Sequence, residues 1–454
     1  MRGLAEVLGA CSPRYTHNEL MTFPLTLPRK SRQAAMPFIM ITVLIDMLAI
    51  GLIIPVLPAL VGVFSGSQAD QAYWYGVVAL SFGLANFLSS PILGALSDRY
   101  GRRPVLLLGF FGLGISFFGT ALATSLWVLV AVRIVAGAMQ ANAAVANAYV
   151  ADITEPEQRA KRFGLLGAMM GVGFIIGPVM GGLLGAIDLQ LPFYAAGVLA
   201  LLNLLYGYFV LPESLTVSQR KAFNWRAANP VTSLKALSQL KGVGALVGVV
   251  AFSGLAQFIL YTTWVLYGSF KFGWGPKENG WSLAAVGVVA VLVQGVLLGP
   301  LLKRFAPQRL AVMGLISSAI AYALWGVASE GWMMFAVIGL NLLGNTVTAS
   351  VQSMISSAAD AKTQGQTLGA VGALNSLMAV IAPIIGAPLL AVVSHLPKGD
   401  WRIGAPFYFC ALMQVASLGL AVWHFRTHRG EKVGVIAGLM RGETSEVVRD
   451  TDRV

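Results

Sequence analysis

Charged side chains are scarce in this sequence: Asp, Glu, Lys and Arg make up 11% of its 454 residues, under half the roughly 25% of an ordinary soluble domain. A chain so poor in charge cannot cover a water-exposed globule of this size with polar groups. Cysteine is nearly missing too. Cys11 and Cys410 stand 399 positions apart, which gives neither a disulfide framework nor a thiolate metal-ligand spacing. The four histidines, His17, His395, His424 and His428, fall in the tails or near the ends of apolar runs. No metal site and no cofactor are expected. A GxxxxGK[ST] phosphate loop is absent, which argues against ATP-driven work, and no constellation of nucleophile, acid and base points to an enzyme.

What the sequence does have is apolar length. Hydrophobic residues are 57% of the chain, and glycine occurs 51 times. A membrane-crossing helix needs roughly 20 mostly apolar residues, and twelve such windows follow Met36: 36–60, 72–95, 104–123, 126–148, 163–186 and 191–211, then 243–268, 279–302, 309–328, 332–357, 365–392 and 402–425. Barrel strands would alternate over about 10 residues, so the fold class expected is an all-α membrane protein of twelve helices. The break at 212–242, with Arg220, Lys221, Arg226, Lys235 and Lys241, divides two bundles of six, 36–211 and 243–425. Residues 1–35 lack the apolar core and cleavage site of a secretory signal and are read as a cytoplasmic extension, with Met21 and Met36 as alternative starts. Residues 426–454 form a second cytoplasmic tail.

Charge sorting sets the expected orientation. With the N-terminus inside, 26 Lys and Arg residues fall on the cytoplasmic side and four on the other, as the positive-inside rule requires. The net charge of +12 is therefore a one-sided surface suited to anionic lipid headgroups and not to nucleic acid. A monomer is expected.

The halves repeat. Gly94-Ala-Leu-Ser-Asp98-Arg99-Tyr-Gly101 corresponds to Gly299-Pro-Leu-Leu-Lys-Arg-Phe-Ala306, and Gly177-Pro178-Val-Met-Gly181-Gly182 to Ala382-Pro-Ile-Ile-Gly-Ala387, both at an offset of 205. Two matches at one offset indicate a parallel duplication, an arrangement found in secondary transporters that bind substrate between their halves.

Of the ionisable residues, only Asp46 in span 1 and Arg133 in span 4 lie well inside a window. A charge there costs about 2.5–3.5 kcal/mol on insertion scales, so such residues are functional candidates; the alternative is an ion pair that simply holds spans 1 and 4 together. The positions 205 later are Ala251 and Ile338, so this chemistry belongs to the N-terminal half alone. Uncharged polar residues form stripes: Arg133, Gln140 and Asn147 in span 4, Gln257, Tyr261 and Trp264 in span 7, and Asn341, Asn345, Thr348 and Gln352 in span 10. Facing lipid they would be costly, so they point inward, either to touch a substrate or to bridge helices. Asn86, Gln294 and Asn375 are weaker candidates of the same kind.

The stretch from Gly94 through Asp98, Arg99, Gly101, Arg102 and Arg103 to Pro104 resembles the signature between spans 2 and 3 of the major facilitator superfamily. Gly173, Gly177, Pro178, Gly181 and Gly182 are similar to the span-5 motif of its drug/proton antiporters, where small residues let helices approach closely. Asp46 with Gly51-Leu-Ile-Ile-Pro55-Val-Leu-Pro58, Tyr149-Val-Ala-Asp152, Leu211-Pro-Glu-Ser214 and Ser282-Leu-Ala-Ala-Val-Gly287 resemble the tetracycline/proton antiporters. Their acids in spans 3 and 9 are replaced here by Ser116 and Ser318, and their histidine before span 8 by Gly273. The resemblance implies a multi-pass bacterial inner-membrane antiporter with both termini cytoplasmic, exporting a small amphipathic compound against protons. Asp46 would carry the proton, Arg133 would tune it, and the Asp98 region would act as a cytoplasmic gate. A metabolite, sugar or siderophore exporter of the same fold stays open, as does a transport-inactive sensor or scaffold. If the gate reading holds, Asp98→Ala slows turnover more than it weakens substrate binding; unchanged turnover in a vesicle assay would reduce the motif to a topology signal.

Overall fold

The computed structural model of the chain describes residues 35–140, 142–223, 229, 244–358 and 364–427. The N-terminal extension before Ala35, most of the central linker and the tail beyond Thr427 lie outside the described residues. Eleven helices are long and apolar enough to cross a membrane, and a bent pair completes a twelfth crossing. They are α1 (Met36–Val63), α2 (Gln68–Tyr100), α3 (Arg102–Ala121), α4 (Leu126–Ile153), α5 (Lys161–Ile187), α6 (Leu191–Val210), α7 (Gly244–Phe272), α8 (Pro276–Arg304), α9 (Pro307–Val327), the pair Gly331–Leu340 and Leu343–Ser356 as α10, α11 (Gly369–Val393) and α12 (Trp401–Thr427).

Local chemistry sets where these helices start. Ser67 and Ser125 accept hydrogen bonds from Asp70 N and Val128 N at the heads of α2 and α4, using side-chain oxygens to satisfy orphan amides. Proline opens α8 and α9 and sits at the second position of α6, where the missing N–H costs nothing. The helix α2 is longer than its apolar window at both ends, because a capped helix continues past the hydrocarbon into polar residues.

The packing reproduces the sequence repeat. Helix α1 packs on α5 and α6, as α7 does on α11 and α12; α3 packs on α6, as α9 does on α12. The halves meet through α5 against α8 and, symmetrically, α11 against α2.

These two contacts are tight at one end only. Near the α7–α8 turn, a Cβ on Gly182 would lie 2.6 Å from Pro276 O, one on Gly280 2.4 Å from Pro178 O, and one on Gly76 2.5 Å from Ala387 Cβ. Toward the opposite end, where Gly101 turns α2 into α3, a Cβ on Gly164, Gly167, Gly295, Gly299 or Gly372 would meet nothing within 4 Å. The sealed end is filled by a cluster that includes Trp264, Tyr267, Tyr322, Trp325 and Phe407 and takes in Ala72 of the other half.

Within the N-terminal half, α1 and α5 touch backbone to backbone. A Cβ on Gly177 would stand 2.7 Å from Gly51 Cα, and one on Gly181 2.0 Å from Leu52 O. Gly177→Val should therefore cost about 1–3 kcal/mol by overpacking and visibly lower the thermal midpoint of the purified protein, whereas Gly167→Ala should leave it in place.

Candidate functional site

Helices α4 and α10 are both interrupted at mid-depth, and the interruptions are related by the repeat. Helix α4 leaves helical geometry at Gln140 (φ −90°, ψ +85°), and the position 205 later, Asn345, lies in the 3-10 turn Leu343–Thr346 that interrupts α10. A break frees backbone carbonyls that must find partners in the absence of water. Asparagines supply them: Asn86 Nδ2 donates to Gln140 O, and Asn345 Nδ2 to Asn341 O at 3.3 Å.

The break in α4 creates the partner of Asp46. Asn142 Nδ2 donates to Asp46 Oδ1 at 3.0 Å, with both side chains buried. Around them Thr42, Phe110, Leu166 and Met170 close down on a space of about 10 Å³, room for about one water. Arg133 is buried too, but no ion pair joins it to Asp46 among the described residues. Among the described residues its Nε and Nη2 have no hydrogen-bond partner, and its electrostatic neighbour is the phenol of Tyr75. The two membrane charges thus occupy separate places, which removes the simple ion pair between spans 1 and 4.

The C-terminal half carries a larger counterpart. A cavity of about 190 Å³ opens among α7, α9, α10, α11 and α12. Its wall residues Val347, Thr348, Val351, Val371 and Asn375 are the 205-residue equivalents of Asn142, Ala143, Ala146, Leu166 and Met170 beside Asp46. Gln257 and Thr348, from the stripes, line it together with Ser318, Gln352 and Gln414.

Other stripe residues lie elsewhere. Trp264 is 3% exposed, stacks edge-on against Trp325 at 5.1 Å and donates Nε1 to Ser282 Oγ at 2.9 Å. It belongs to the core of the sealed end, since it sits further along α7 toward the α8 turn than Gln257. Tyr261 is half exposed and packs against Phe258. Asn341 caps the first part of α10 and accepts from Ser317 Oγ at 3.1 Å. Asn147 donates to Ala143 O on its own helix.

At the open end, the Gly94–Arg103 motif is more helix than loop. Gly94, Asp98 and Arg99 belong to α2, and Arg102 and Arg103 begin α3, so Gly101 is the whole turn. Gly94 lies inside α2 and takes no part in the turn. Gly101 has φ +111°, and a Cβ there would lie 2.3 Å from Glu213 Oε2, so both conformation and space demand glycine. Arg102 is held by Asp98 at 2.5 Å, Asp152 at 3.1 Å and Ser97 Oγ at 2.6 Å. Glu213, unsuspected from the sequence, accepts from Arg102 N at 2.9 Å and Arg103 N at 3.2 Å. Its carboxylate faces the first amides and the positive pole of α3. Ser214 Oγ bonds Asp152 at 3.1 Å, and Tyr149 Oη bonds Pro212 O at 2.8 Å. Every partner of Arg102 among the described residues comes from the N-terminal half, while Arg99 points its charge over the exposed Tyr100 ring.

The glycines of α5 divide between two surfaces. A Cβ on Gly173 would lie 2.5 Å from Met47 Cβ, so Gly173, Gly177 and Gly181 fit α1, whereas Gly182 and the Pro178 carbonyl meet α8 of the other half.

Comparison with known proteins decides the family. The Major Facilitator Superfamily model matches residues 39–383 and 246–439. The chain belongs to that superfamily. Tetracycline resistance protein, class C, of Escherichia coli is 40% identical over 372 residues, covering 82% of this chain and 93% of the relative. The class D protein of Salmonella ordonez is 33% identical over 81% of this chain and 93% of its own length. Among solved structures, the nucleoside transporter NupG superposes with a TM-score of 0.70 at 13% identity, covering 86% of this chain and 99% of NupG. The human organic anion transporter MFSD10 (TETRAN) gives 0.64 at 22% identity, covering 87% and 100%. These structures share the fold. The protein is thus a multi-pass major facilitator transporter similar to tetracycline resistance proteins.

Removing the Glu213 cap tests whether the 211–215 segment holds the motif in place. In this transporter Glu213→Ala should cost about 0.5–2 kcal/mol, the usual worth of an N-cap, read as a lowered thermal midpoint; an unchanged midpoint would count against it.

Proposed function

We propose that this facilitator is a proton-coupled antiporter of the bacterial inner membrane that exports a small amphipathic, tetracycline-like compound by alternating access. The observation that carries the reading is Asp46, a carboxylate buried in mid-span and bonded by the neutral amide of Asn142 instead of a cation. A buried charge without a counter-ion costs several kcal/mol, and a proton can remove that cost. An amide suits both states, since its N–H donates to a carboxylate and its carbonyl accepts from a carboxylic acid. The 40% identity to the class C tetracycline resistance protein supports a drug as the cargo.

The contacts between halves support the movement. They are closed at the α7–α8 end and separated at the Gly101 end, the geometry of a cavity open to one side. The excess of Lys and Arg at the Gly101 end supports its being cytoplasmic, with both termini on that side. The Asp98–Arg102–Asp152 cluster then stands at the mouth as the gate element of the N-terminal half. A second reading, export of a neutral metabolite or sugar, is favoured by the uncharged amide and hydroxyl lining of the C-terminal cavity.

Asp46→Asn keeps the size of the side chain and can still bond Asn142. In inverted vesicles with an imposed pH gradient it should lower tetracycline uptake at least tenfold while normal amounts of protein reach the membrane. Full uptake by this variant would overturn the assignment.

A further inference from the structure

Duplication gave each half the same pocket, and the two copies have diverged in opposite directions. In the N-terminal half, Phe110, Leu166 and Met170 fill the space and leave about 10 Å³ around Asp46. In the C-terminal half the acid is replaced by Ala251, while Leu315, Val371 and Asn375 stand where Phe110, Leu166 and Met170 stand, and about 190 Å³ remains open. An apolar cavity of about 150 Å³ accommodates benzene, so this space takes one substituted six-membered ring and not a fused polycyclic body.

The lining specifies the ring. Among the described residues no charged side chain contributes to the wall, so an ionised occupant would lack a counter-charge there. Valines 249, 250, 347, 351 and 371 provide apolar contact. Polar groups converge from two helices at the back of the half: Ser318 on α9, 3% exposed, and Gln414 on α12, 2% exposed. Gln414 Oε1 is buried with no hydrogen-bond partner among the described residues. The side chain of Gln414 shares a hydrogen bond with Tyr322, whose hydroxyl donates to Gln257 Oε1 at 3.2 Å, so only Oε1 of the Gln414 amide is left open. A buried acceptor left empty is costly, and a donor on an occupant would satisfy it.

We infer that this cavity binds an uncharged six-membered ring carrying hydroxyl or amide N–H donors, with a donor seated on Gln414 Oε1. On the transport reading proposed above, on which this identification rests, the ring is one end of the exported amphipathic compound. The rest of that molecule lies outside the cavity, and α12 joins α7 and α10 in choosing the cargo. The selecting group is thus an amide at the back of one half.

The test uses the full chain in lipid nanodiscs, with resorcinol as a ring with two donors and toluene as a ring with none, titrated calorimetrically at millimolar concentration. Wild type should bind resorcinol at least tenfold more tightly than toluene. Asn375→Met, which copies the packing of Met170 in the other half, should abolish binding of both. Gln414→Leu should invert the preference toward toluene, because it removes the open acceptor from the wall. Absence of resorcinol binding to wild type, or a preference that Gln414→Leu leaves unchanged, overturns the ring site. Proton exchange driven by tetracycline is measured on the same proteins. Ring binding that follows this pattern without any exchange in wild type supports the site and overturns the transport reading instead. Exchange that both variants leave at wild-type rate overturns the cavity's part in substrate recognition.

Discussion

Inside a bilayer there is no water to satisfy a backbone or side-chain polar group, and that constraint organises this molecule. At several points where the helices depart from regularity or end, a specific side chain supplies the missing bond. Asn86 and Asn345 serve the interruptions of α4 and α10. Glu213 serves the first amides of α3. Asn203 Nδ2 bonds Thr42 O at 3.0 Å between α6 and α1. The few groups left without a partner, Arg133 Nε and Nη2 and Gln414 Oε1 among them, stand out against this rule, which is why they draw functional attention.

The sequence made the architecture legible because hydrophobic length and charge sorting are local signals. Twelve windows matched twelve crossings to within a few residues, apart from the capped ends of α2. The offset of 205 residues reappears as paired interruptions and paired pockets. The glycines of the span-5 motif were legible for the same reason, since closely spaced small residues mean close approach whatever the partner.

The site was legible only in part, for geometric reasons. A stripe of Arg133, Gln140 and Asn147 presumes a continuous helix, but α4 leaves helical geometry at Gln140, and it is Asn142, outside that stripe, that bonds Asp46. Glu213 lies 111 positions from the amide it caps, beyond any helical periodicity. The Leu211–Ser214 signature marked its neighbourhood without revealing its bond. Gln414 is the one amide of α12, with only Ser417 polar within a helical turn of it, and gives no stripe. Trp264 kept helical phase with Gln257, yet phase carries no information about depth, and two further turns took it from the cavity region into the sealed aromatic core.

Helix α5 has two bare faces, one against α1 and one against α8. Between α1 and α5 the touching atoms are largely main chain, with Gly177 on Gly51 and Gly181 on the Leu52 carbonyl, so there are no side-chain rotamers to absorb a displacement. On the alternating-access reading proposed above, α1 would then follow α5 when α5 pivots on α8. Asp46 rides on that helix beside Met47, which Gly173 of α5 abuts. On the same reading, the carboxylate would travel with α1 and α5 as one body, carrying its closed N-terminal pocket with it, although it touches neither interface between the halves.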